Sequence, residues 1–152
     1  MKVDFLCAAC ESTLTLASAA LSPSYYYDSL PYCIIDAVFS IGVKYTSTQN
    51  VVKNYCTYYG LREYNTEQDG YGDNHTISQM IEHIESIGVE KSADIIFKNH
   101  QRTSTRNGIL KAEAALRFAQ ILKKYGIETL NDITTKGLAA AAEQEILQIP
   151  GQ

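Results

Sequence analysis

Apolar residues recur along the chain at spacings of three and four, separated by short polar turns, and no segment alternates strongly enough to build a sheet. The pattern predicts an all-α fold. A first helix covers residues 3–21 and ends at Ser22-Pro23-Ser24, since proline has no amide hydrogen with which to continue the ladder. The run LPYCIIDAVFSIGVKY follows, with Pro31 in a first turn and Ile34, Ile35, Val38, Phe39 and Ile41 at mixed spacing. Such density predicts a central, heavily buried helix whose weak point is Gly42. Another helix is expected from Gln49 to Tyr59, ended by Gly60, and then a polar loop from Leu61 to Asn74. Thr76 or Ser78 caps a short helix that Gly88 ends after Ile87, and a further helix runs from Ser92 to Lys98.

The longest periodic stretch is STRNGILKAEAALRFAQILKKYGI. Ile109, Ala112, Leu116 and Ala119 form one stripe, Ala115, Phe118, Leu122 and Tyr125 an adjacent one, and Glu113, Arg117, Gln120 and Lys124 the opposite face. An amphipathic helix of about five turns is predicted, terminated by Gly126, with Lys123 and Lys124 near the negative end of its dipole. ETLNDITT reads as a connector. GLAAAAEQEILQ reads as a last helix, stopped by Ile149-Pro150-Gly151. With no internal repeat and no low-complexity linker, residues 1–152 read as one α-helical domain.

Composition narrows the class. At 152 residues, 45% hydrophobic and 20% charged, the chain has apolar material for a real core, which excludes disorder throughout. No apolar run approaches the roughly 18 residues of a membrane span, so no membrane is expected. Four cysteines, Cys7, Cys10, Cys33 and Cys56, are too few for a disulfide scaffold, and a reduced, cytoplasmic protein is the simpler reading. Cys7-Ala-Ala-Cys10 has the spacing of a redox or metal half-site, but it has no second pair downstream and no zinc spacing with His75, His83 or His100; buried thiols on a helix are expected. Asp4 and Glu11 interrupt the signal-peptide pattern that Lys2 and FLCAAC suggest. The formal net charge is −4, unevenly spread: residues 1–97 hold net −7, residues 98–124 net +6 and residues 125–152 net −3. The basic stretch is either a solvated helix face or a surface that meets phosphates.

Most catalytic signatures are absent: no GxSxG elbow, no Walker A loop, no GxGxxG. Gly70-Tyr71-Gly72 lies in an acidic loop with no strand before it, Glu82-His83-Ile84-Glu85 reads as helix surface, and Asn74-His75-Thr76 is a glycosylation sequon by pattern only. Asp36, inside an apolar helix, is either satisfied by a neighbouring helix N-terminus or hydroxyl, or catalytic. A small-molecule helical enzyme built around Asp36 and the tyrosines is the reading that a catalytic Asp36 would support. Tyr25-Tyr26-Tyr27 suits packing between helices better than base stacking.

The last part of the chain carries the sharpest pattern: a basic amphipathic helix, a connector, a second helix and the hydrophobic-Pro-Gly turn of LQIPGQ. With PYCIIDAVFS, TQNVVKNYC, LKAEAALRFAQILKKYG and ILQIPGQ in that order, residues 30–152 resemble the endonuclease III-like superfamily of helix-hairpin-helix DNA glycosylases. The resemblance implies a helical DNA-glycosylase-like domain, incomplete at the C-terminus, in which residues 138–152 form the first half of a helix-hairpin-helix. It further implies duplex DNA as partner and base excision in an intact protein; the residues themselves offer no place for the C-terminal iron-sulfur cysteines of endonuclease III, so no cofactor or metal is expected. Phosphate contacts are then expected from the backbone at Pro150, Gly151 and Gln152 with help from Lys111. Arg102 and Arg106 are either further contacts or only precede and cap the long helix. The residues depart from the family at several points, and the turn itself ends in Gln152 where members usually carry valine and a second glycine. Gly42 stands where members carry a wedge glutamine, and the family's lysine and aspartate would lie beyond Gln152, so this chain has no catalytic residue of its own. The competing class is a non-catalytic α-helical DNA-binding or protein-interaction module on the same scaffold. Oligomeric state is unassigned.

Overall fold

The periods read from the sequence close into helices in a computed structural model that describes residues 2–14, 21–22, 25–65, 72 and 74–151. In chain order these are α1 (Lys2–Thr13), α2 (Leu30–Phe39), α3 (Tyr45–Tyr59), α4 (Ile77–Ile87), α5 (Val89–Lys91), a π-helical turn (Ser92–Ile96), α6 (Lys111–Lys124), α7 (Leu130–Lys136) and α8 (Ala140–Ile146). Among the described residues β-structure is limited to isolated bridges, Tyr27 with Tyr64 and Arg102 with Leu110. The fold is all-α. No described helix is long and apolar enough to cross a membrane.

The centre is α2, as its density of apolar residues requires: Leu30, Pro31, Tyr32, Ile34, Ile35, Val38 and Phe39 are all buried. It packs against α3 and α6, and α6 packs in turn on α4 and α8. Close approach is possible because α6 turns Ala112, Ala114, Ala115 and Ala119 inward, small side chains that let neighbouring helices come near. Each methylene taken out of water by this packing stabilises the fold by about 0.8 kcal/mol. Local chemistry sets the helix ends. Thr76 and Gln79 form a reciprocal capping box at α4, Gly60 closes α3 in the left-handed region at φ 66, and Thr129 with Asp132 boxes α7. Glu128 adds a carboxylate at the positive end of α4, accepting from Ser78 N at 2.8 Å and Ser78 Oγ at 2.5 Å.

Several expectations are corrected. The first helix ends at Thr13, and Leu21 is not helical; residues 15–20 lie outside the described residues. Cys7 is exposed and Cys10 half-buried, because α1 has Val3, Phe5 and Leu6 in solvent at 71%, 78% and 63% exposure; thiols cannot be buried on a helix that has no core against it. Ile41 leaves α2 for the following turn and is exposed. The third helix begins at Tyr45, and ETLNDITT is no connector but contains most of α7, since Thr129 and Asp132 supply a complete cap. Tyr25 and Tyr26 do not pack between helices: both are exposed, and only Tyr27 turns inward, stacked on Tyr64.

Candidate functional site

Three turns converge at the N-terminal end of α6. The loop at residues 98–110 closes on itself: Thr103 N donates to Ile109 O at 2.9 Å, Ile109 N to Thr103 Oγ1 at 3.2 Å, and Lys111 N to Gln101 O at 2.8 Å. Arg102 Nη1 donates to Gly108 O at 2.7 Å, bracing the bend from outside. Gly108 is pressed so closely on Ser104 that a Cβ there would lie 2.4 Å from the Ser104 N and O. Asn107 takes a positive φ of 56°, a conformation that asparagine tolerates better than most residues. The two arms of the loop are thus tied to each other by backbone bonds and by the Arg102 and Thr103 side chains.

Lys111 binds this loop to a second turn. Its side chain is 2% exposed, and Nζ donates to Phe39 O at 3.1 Å, Ile41 O at 2.8 Å and Gln101 Oε1 at 3.3 Å. Phe39 O is one of the carbonyls that the end of α2 leaves without a helical partner. Burial pushes the Lys111 pKa down. The expectation that Lys111 contacts phosphate is therefore corrected: the ammonium faces inward, and its three hydrogens are matched by three protein oxygens.

The third turn is Pro150-Gly151. Gly151 has φ 82, and a Cβ on it would meet Thr103 at 2.7 Å (Oγ1) and 2.8 Å (Cβ). A side chain here is strained by the backbone and also obstructed. Ile149 is buried in the core and anchors the turn. Pro150 is half-buried and Gly151 exposed; Gln152 lies outside the described residues. Thus the structure brings Arg102, Arg106, Pro150 and Gly151 to one end of the molecule. Neither arginine caps α6, whose N-cap is Leu110 without a side-chain cap bond; Arg102 braces the loop and Arg106 is exposed.

The rest of the basic stretch divides. Arg117 pairs with Glu113 at 2.5 Å and Lys124 with Glu145 at 2.6 Å, so those cations are balanced locally. Among the described residues Lys98, Arg106 and Lys123 have no ion pair. A groove of about 350 Å³ between α6 and α8 is lined by Arg117, Lys124, Glu145 and Ile149 among others, and both of its cations are already paired with carboxylates, Glu113 and Glu145.

A second polar cluster lies in the interior and is signalled by no local spacing of residues. Tyr55, fully buried, shares its hydroxyl between His75 Nε2 at 2.7 Å and His83 Nδ1 at 3.3 Å. One hydroxyl has one proton, so it donates to one imidazole and accepts from the other. His83 stacks on Tyr59 at 3.6 Å between ring centroids and on His75 at 5.0 Å. Burial, reinforced by the neighbouring His83, lowers the His75 pKa to about 4, and burial lowers that of His83. Glu82 and Glu85 are exposed as expected of helix surface, but His83 between them turns inward. Asp36 accepts from Tyr27 OH at 2.6 Å and Tyr45 OH at 3.1 Å, both on Oδ2; its charge is satisfied by hydroxyls. Among the described residues no group of histidines, cysteines and carboxylates is placed to hold a metal ion.

A family model described as a domain of unknown function, DUF8548, matches residues 4–152. The chain belongs to that family. The DUF8548 match includes all three turns at the start of α6 as well as the Tyr55 cluster. No curated protein and no solved structure matches the chain with significance. The family description names no activity, so function rests on the chemistry of the site.

Proposed function

We propose that this DUF8548 protein binds duplex DNA through the end of the molecule where the 98–110 loop meets the Pro150-Gly151 turn. The observation that carries the reading is the seat of Gly151, at φ 82, against Thr103. The missing side chain lets the turn close on the loop, so that the exposed backbone of Gly151 stands next to the arginine-bearing loop, which suits approach to a phosphate. Arg106, exposed beside it, and Arg102, whose guanidinium has donors beyond the one given to Gly108, supply positive charge. On this reading the turn is the first half of a helix-hairpin-helix on a glycosylase-like scaffold in a cytoplasmic protein, and excision of a damaged base is the activity such a scaffold would serve.

A non-catalytic DNA-binding module is the second reading. Gly42 favours it: at φ 70 it presents no side chain from the α2–α3 turn, and the loss of a wedge there costs a scaffold nothing but hampers an enzyme that flips bases.

The test is binding of the chain to a short duplex across a salt series. The logarithm of affinity should fall linearly with the logarithm of salt, at about 0.9 per phosphate neutralised. Arg106→Ala should lower that slope by about one phosphate, and Gly151→Ala should weaken binding at every salt concentration. An affinity indifferent to salt sinks the reading.

A further inference from the structure

The buried Lys111 ammonium is not accounted for by packing. An isolated charge is costly to remove from water, and among the described residues Lys111 has no carboxylate partner to offset that cost. It also stands at the first position of α6, the positive end of a helix dipole, where a cation is disfavoured. An apolar side chain of similar length would avoid both costs. What the ammonium achieves is a link between separate chain segments: Phe39 O and Ile41 O at the close of α2 on one side, the Gln101 amide on the other. The Gln101 backbone is held by Lys111 N as well, and the same loop carries Thr103 against Gly151.

We infer that Lys111 is a positioning residue that locks the α2–α3 turn to the 98–110 loop, so that Lys44 in that turn meets the same nucleic-acid backbone as Arg106. The inference rests on the duplex-DNA reading. Lys44 is exposed, has no ion pair among the described residues, and lies three residues beyond the carbonyl that Lys111 holds. The bound surface therefore extends from the Pro150-Gly151 turn across the 98–110 loop to residues 41–44. Lys111 itself touches no phosphate; it fixes the spacing between side chains that do.

The experiment is a double-variant cycle on duplex affinity, measured with the whole chain over a salt series. Lys44→Ala should lower the salt slope by about 0.9 and weaken binding several-fold at low salt. Lys111→Met should also weaken binding, and in its background Lys44→Ala should cost clearly less than it does alone. Lys111→Arg, which keeps a cation able to reach the carbonyls, should restore part of the loss and of the coupling. Should Lys111→Met fail to fold, Gln101→Ala removes the loop side of the link at an exposed residue and should reduce the same coupling. An unchanged slope in Lys44→Ala, or strictly additive effects of positions 44 and 111 (or 44 and 101), overturns the inference. Salt-dependent binding by the unsubstituted chain separates that outcome from failure of the DNA reading itself.

Discussion

Around Tyr55 side chains bond chiefly to one another; at the start of α6 they bond chiefly to backbone. In the first region a phenol and two imidazoles satisfy one another while their rings stack, with Tyr59 over His83 and Tyr32 over His75 at 6.2 Å. In the second, Arg102, Thr103 and Lys111 each donate to or accept from main-chain atoms of turns. Side-chain networks fill space and fix a core, so their loss is felt as unfolding. Side-chain-to-backbone bonds fix the course of exposed loops, so their loss is felt as altered surface geometry. Stability and ligand recognition are thus assigned to different places in a small helical chain.

The sharpest way to break that division is Tyr55→Ala. Removing a large, fully buried aromatic ring costs about 3–5 kcal/mol and strands both imidazoles, so urea unfolding should show a large drop in midpoint. Duplex affinity of the remaining folded protein should hardly move. If affinity falls with stability, the two regions are not separate. Acid tests the same core at somewhat smaller scale. His75 is neutral when folded down to about pH 4, whereas the unfolded chain takes up its proton near pH 6.5. The unfolded state therefore binds more protons across that window, and stability should fall as pH drops from about 6.5 towards 4, by on the order of 3 kcal/mol, with His83 adding in the same direction. His75→Phe should flatten the profile; an unchanged profile would remove His75 as its cause. Smallest is Thr76→Ala, which takes away the α4 cap for about 1 kcal/mol and should leave duplex binding untouched at every salt concentration.

Much of the helical frame is legible in the sequence because glycines and caps act locally. Gly60, Gly88 and Gly126 end helices where their positions predict, and Thr76 begins one. Short elements escape: α7 is too brief to show a period, and its Thr129/Asp132 box resembles an ordinary polar linker. The Thr46-Ser47-Thr48 run suggests a cap, yet Thr48 lies buried within α3 because tertiary packing outweighs its modest helix propensity. Half of the candidate site was readable, since Pro150-Gly151 and the arginines advertise themselves by type. Lys111 did not, because whether a lysine near a helix start faces water or a neighbouring helix end depends on where α2 finishes. The contact of Gly151 with Thr103 and the meeting of His75 with His83 across Tyr55 depend likewise on how helices pack, and no local spacing encodes them.

Asp28 joins two separate stretches of the chain through one carboxylate. Its fully buried carboxylate accepts from Arg62 at 2.8 Å and from Asn74 at 2.8 Å, and any Cβ on Gly72 would run into it. The chain is thereby pinned on both sides of the acidic residues between positions 63 and 72. Once both ends of a segment are fixed by the same anchor, lengthening it adds only a logarithmic entropy term, about 0.6 kcal/mol for each doubling. An insertion between positions 63 and 72 therefore loads Asp28 first and next His75, which follows Asn74 in the chain and donates its backbone N–H to Ser29 Oγ at 3.1 Å.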